Sequence, residues 1–175
     1  STLYGSEAVG GLVNIITKDA AGTEKVKIDI SATSVGEVNT DLTAKFKVNN
    51  RLSSLLGVNY FNYQQVRDIN NDNFTDVTLQ NRVSVFNKWN FIRNDNKLFT
   101  LAGRFFYEDR WGGEMNWNKK FRGGDSIYAE SIYTKRWEFF GTYQLPTKKK
   151  ITLQFSANGH DQNSVYGKTS YNAQQ

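Results

Sequence analysis

The chain has 175 residues, with 22 Lys and Arg against 17 Asp and Glu and a formal net charge of +5 at pH 7. Without cysteine, and with His160 as its one histidine, it can build no disulfide framework, thiolate metal site or multi-histidine zinc site. A 14% aromatic share at a mean hydropathy of −0.60 excludes disorder, no apolar run reaches the roughly 18 residues of a membrane helix, and Lys and Arg interleaved with Asp and Glu argue against a nucleic-acid partner.

The first element lies in "STLYGSEAVGGLVNIITK". Glycines at 10 and 11 precede residues 12–17, which are nearly apolar on both sides, as in a strand buried on two faces. The stretch lacks the G-K-[ST] of a phosphate loop. From residue 25 the period becomes two. Val26, Ile28 and Ile30 alternate with Lys27 and Asp29; Leu42, Ala44, Phe46 and Val48 with Thr43, Lys45 and Lys47; Leu56, Val58 and Tyr60 with Gly57 and Asn59. Val77, Leu79, Val83 and Val85 then alternate with Thr78, Gln80, Arg82 and Ser84. Phe99, Leu101, Gly103, Phe105 and Tyr107 oppose Thr100, Ala102, Arg104 and Glu108. Trp137, Phe139 and Tyr143 oppose Arg136, Glu138 and Thr142, and Ile151, Leu153, Phe155 and Ala157 oppose Thr152, Gln154, Ser156 and Asn158. Such alternation predicts an all-β, antiparallel protein.

Short connections (49–51, 93–97, 146–150) alternate with longer polar ones (about 63–76, 109–126 and 159–170). That sorting is expected of an outer-membrane barrel, with short turns on one side and long loops on the other. The short connection near 34–40 departs from it. Aromatic clusters at Tyr60, Phe61 and Tyr63, at Phe86, Trp89 and Phe91, and at Phe105, Phe106 and Tyr107 suit interfacial girdles; in a soluble sandwich they would cap the core.

"LYGSEAVGGLVNIITK" resembles the end of the plug domain of TonB-dependent outer-membrane receptors. Tyr4, Gly5, Glu7, Ala8, Gly10, Gly11, Asn14, Ile15 and Thr17 carry that pattern in one ungapped run. "EDRWGGE", "YTKRWEF" and "GHDQNSVYG" are similar to receptors of Bacteroidota. The resemblance implies residues 1–20 as the C-terminal end of a plug and 21–175 as the first part of a transmembrane antiparallel β-barrel. About seven to eight strands of a larger, 22-stranded barrel would be present, and the chain would be a fragment. It implies a bacterial outer-membrane location, a TonB complex as partner acting through the plug, and active uptake of a metal chelate such as a siderophore, haem or cobalamin. No enzymatic step, cofactor or resident metal is expected. The alternatives are a complete eight-stranded outer-membrane barrel with a structural or adhesion role, and a soluble carbohydrate-binding sandwich.

Candidate ligand contacts are Trp111, Glu114, Trp117 and Arg122 in the 109–126 loop, where flat apolar faces lie beside charge; the same tryptophans could instead anchor the loop. His160 shares the lumen-facing parity of Gln154, Ser156 and Asn158, which would place it near the mouth as a further candidate ligand contact, to a metal or haem, or else as a solvated loop histidine. With Asp161 and Ser164 it offers the residue types of a triad, but side chains crowded into one loop supply no oxyanion hole or closed pocket. Arg104, Glu108, Arg136 and Glu138 fall on the lumen-facing parity of adjacent strands and are expected to form a charge ladder against the plug, together with Glu7. Ordinary cross-strand pairing in a wet lumen would use the same residues.

Overall fold

A computed structural model describes residues 24–175; the expected plug strand at 1–20 and Glu7 lie outside the described residues. Eight strands follow one another: β1 (Val26–Ala32), β2 (Val38–Asn49), β3 (Leu52–Tyr63), β4 (Leu79–Phe91), β5 (Phe99–Gly113), β6 (Ala129–Gln144), β7 (Thr152–Tyr166) and β8 (Thr169–Gln174). Each pairs antiparallel with the next, giving one open sheet in sequence order with β1 and β8 at its edges. Among the described residues there is no α-helix, only a single 3-10 turn at Lys119–Phe121.

Pairing fixes which side chains share a face, because residues directly opposite one another point the same way. One row runs Ile28, Leu42, Val58, Val85, Phe105, Trp137, Gly159 across seven strands. A second row, Phe46, Ser54, Trp89, Leu101, Gly141, Phe155, lies nearer the β2–β3 turn on the same face. Every apolar stripe of the alternating segments thus meets on one side of the sheet, here called the outer face. The opposite, inner face carries the row Asp29, Asp41, Asn59, Ser84, Phe106, Arg136, His160. A one-residue slip anywhere would exchange these faces, so the apolar stripes themselves specify the register.

Among the described residues nothing packs over the outer apolar band. Ile30 is 70% exposed, Trp137 51% and Phe155 43%, whereas large side chains of a water-soluble sheet are buried against a second layer. Along β5 the band runs from Phe99 to Tyr107, roughly 26 Å at about 3.3 Å per residue. Beyond it, at the β5–β6 end, the same face turns polar along Asn62, Asn81, Asp109, Tyr133, Asn163 and Asn172.

The connections correct the expected alternation. At one end the links 50–51, 92–98 and 145–151 are short; at the other, 64–78 and 114–128 are long, but 33–37 is short and 167–168 is a two-residue hairpin. The expected long loop at 159–170 does not exist: β7 continues through it to Tyr166. The loop expected at 109–126 also begins later, because β5 continues to Gly113. In both stretches polar residues occupy both faces, so the strand persists where the hydropathy alternation ends.

Candidate functional site

The inner face offers a concave, charged surface built where β2 to β6 lie side by side. A hollow of about 470 Å³ is lined by Asp41, Asn59, Ser84, Phe86, Arg104, Glu138 and Phe140, among others. Its geometry follows from register: Arg104 stands directly opposite Glu138, and Ser84 lies one strand further on. The Arg104 guanidinium donates to Ser84 Oγ at 3.2 Å and lies 3.9 Å from Glu138 Oε2, while Arg136 Nε approaches Glu138 Oε1 at 3.2 Å. One carboxylate is therefore shared by two guanidinium groups. Asn59 donates to both Asp41 (2.8 Å) and Asn39 (2.9 Å), which settles the acidic side of the hollow. Phe86 and Phe140, stacked with centroids 6.4 Å apart, form its apolar floor.

Glu108 belongs to a second cluster. It accepts from Gln80, lies 3.7 Å from Arg110, and stands opposite Arg82, whose guanidinium covers the Phe61 ring at 5.0 Å. The four residues expected to form a ladder thus share one face but divide into two groups, Arg104–Glu138–Arg136 and Glu108 with Gln80 and Arg110. Glu108 pairs with Thr134, four residues along β6 from Glu138, so the two backbone positions lie roughly 13 Å apart along the strand, and their carboxylates engage different partners. These ion pairs are partly exposed, so each contributes little stability; their consequence is a wall of alternating sign.

His160 lies on β7, opposite Arg136 on the inner face, and its Nδ1 is buried without a hydrogen-bond partner. Ser164 shares that face by strand alternation, but Asp161 points outward opposite Lys135. The strand thereby separates the three residue types of a triad. Among the described residues no group of three or more His, Asp or Glu is placed to hold a metal.

The remaining candidates occupy the rim. Trp111 is a β5 residue on the outer face, and Trp117, 6% exposed, packs on it with ring centroids 4.6 Å apart. Arg122 donates to Ser131 Oγ at 2.9 Å, reaches the Asn163 carbonyl at 3.2 Å and covers the Tyr133 ring at 4.3 Å. Lys119 Nζ lies 2.7 Å from Asp109. That hydrogen bond, with the carboxylate charge behind it, holds the Lys119 ammonium above its ordinary pKa, against a smaller opposing effect of burial. Glu114 closes the loop base, its carboxylate accepting from the Tyr128 N–H at 2.7 Å. The structure therefore gathers Trp111, Trp117 and Arg122 on the outer wall as anchors of the 114–128 loop and leaves His160 on the inner wall. Phe86, expected with Trp89 and Phe91 in an aromatic girdle, lies instead on the inner face opposite Arg104, and Asp41, Asn59 and Phe140 were not singled out in the sequence as site residues. Strand parity could have found them, since each shares a face with Arg104.

No family model, curated protein or solved structure matches the chain.

Proposed function

We propose that this chain contributes the end of the plug and the first part of the barrel wall to a TonB-dependent outer-membrane transporter that takes up a metal chelate such as a siderophore, haem or cobalamin. The observation that carries the reading is the uncovered apolar band across the outer face, set against Arg, Glu, Asp and Asn on the inner face. A wall between lipid and a wet lumen needs that division. The plug-like run from Tyr4 to Thr17 supports it from the sequence. In this reading the hollow around Arg104 and Glu138 faces the plug, and energy from the TonB complex moves the plug against it. Binding, plug rearrangement and release make up the cycle, with no covalent step.

The eight-stranded alternative would need β1 to pair with β8, and these are the two edges of the sheet. The sandwich alternative would need a second sheet over the outer face, and the described residues form one. The test is the native protein that carries "YGSEAVGGLVNIITK". Recovery from the outer-membrane fraction at a mass several-fold above 20.0 kDa, with chelate uptake lost on its deletion, is the expected result. A water-soluble species near 20.0 kDa would overturn the reading.

A further inference from the structure

The two ends of the sheet differ in charge. The links 50–51, 92–98 and 145–151 carry Arg51, Arg93, Lys97, Lys148, Lys149 and Lys150 against Asp95 alone, a net of +5; the links at the other end carry five basic and six acidic residues, a net of −1. The basic end also holds a groove of about 630 Å³, whose floor is Leu52, Phe91 and Phe99 and whose rim is Arg51 and Arg93 with Asn49, Asn94 and Asp95, the Asp95 carboxylate lying 2.9 Å from Arg93. Its floor residues belong to the outer face, continuous with the apolar band. The Phe91 and Phe99 rings stack at 4.4 Å, Tyr143 meets Phe99 edge-on at 5.4 Å, and the Arg93 guanidinium covers the Tyr143 ring at 4.6 Å. Lys148, Lys149 and Lys150 are exposed and form no ion pair among the described residues.

We propose that this end is a docking surface for anionic phospholipid, with an acyl chain along the Phe91–Phe99 floor, the headgroup phosphate at Arg51 and Arg93, and Lys148–Lys150 on the 145–151 link adding to the attraction for anionic headgroups around it. The proposal rests on the barrel reading above. A lipid is favoured over an acidic polypeptide because Arg51 and Arg93 border an apolar floor, so the fitting occupant joins an anion to a hydrocarbon chain. Basic clusters beside a membrane surface attract anionic headgroups in this way.

The test places the full-length protein containing this chain in nanodiscs of phosphatidylcholine doped with phosphatidylglycerol, and reads retained lipids by native mass spectrometry. The wild-type protein is expected to retain phosphatidylglycerol preferentially. Replacing Arg51, Lys148, Lys149 and Lys150 by Gln should lower that preference at least about tenfold, given about a factor of five for each cation near an anionic surface. Arg in place of the three lysines should preserve it. Equal preference in the wild-type and Gln proteins overturns the proposal, as does capture of poly-glutamate by the wild-type protein with no lipid preference. A protein that inserts but shows no preference removes the headgroup site alone. One that does not insert removes the barrel reading with it.

Discussion

Gly159 lies under the indole of Trp137 on the outer face, where a Cβ would come within 2.2 Å of the ring nitrogen. Gly141 stands likewise beneath Phe155, whose ring edge a Cβ at that position would meet at 2.5 Å. In each case the aromatic of one strand fills the gap left by its neighbour's glycine, which ties β6 to β7 through packing as well as through the ladder. Gly159→Val should displace the indole and cost about 1–3 kcal/mol of overpacking, read as a lower urea midpoint and a changed tryptophan emission in vesicle-inserted protein. An unchanged midpoint would mean that the Trp137 contact contributes nothing. Arg122 is a second residue with a clear task. Arg122→Ala removes its hydrogen bonds to Ser131 and Asn163 and its cover over Tyr133, so trypsin should cut at Lys119 and Lys120 sooner in the variant. Lys119 adds a pH dependence of known sign. Its raised pKa means that the clamp to Asp109 is fully present below the unfolded value of 10.5 and is lost as pH rises through the higher folded value. A titration of isotopically methylated Lys119 by NMR should therefore give a midpoint above 10.5, and Asp109→Asn should bring it down.

At the scale of the strands, the outer face makes a prediction with an internal control. Phe105 sits mid-band between Val85 and Trp137, while Asn158 lies on the inner face opposite Glu138. Arg at a lipid-facing mid-membrane position costs about 2–4 kcal/mol, so Phe105→Arg should sharply lower insertion yield. In the proposed barrel Asn158→Arg would place its charge beside the Glu138 carboxylate on the inner face and should be tolerated. Similar losses at both positions would mean that the faces do not differ as proposed. The same alternation explains what could be read in advance. Inside the band, Phe99 to Tyr107 on β5 and Trp137 to Tyr143 on β6 announce themselves through a one-sided hydropathy period. At Asp109 to Gly113, and at Asp161 to Tyr166, much of both faces is polar, so the period disappears although the ladder continues. That is why two strand extensions looked like loops, and why Trp111, Asp161 and His160 seemed to share irregular segments. The inner-face partners were legible in parity but not in register. Nothing in the spacing tells that Arg104 stands opposite Glu138 while Glu108 meets Thr134.

At the scale of the molecule, the edges decide what these eight strands can do alone. All seven residues of β1 and all six of β8 are exposed, and neither strand pairs on its outer side among the described residues. An open edge leaves backbone N–H and C=O groups unpaired, and in hydrocarbon each costs several kcal/mol, so a barrel wall must close. In water the same edges, bordered by Val26, Ile28 and Ile30 at 58–70% exposure, are templates for pairing with further chains. If the proposed barrel reading holds, closure comes from strands contributed beyond residues 24–175. That segment expressed by itself should then fail to give a compact species that resists SDS and shifts in mobility on heating, and should aggregate through its edges. The full-length protein from the outer membrane should give such a species. A monomeric, SDS-resistant, β-rich form of the isolated segment would reverse the argument: β1 and β8 would then pair with each other, and the small closed barrel would replace the transporter wall.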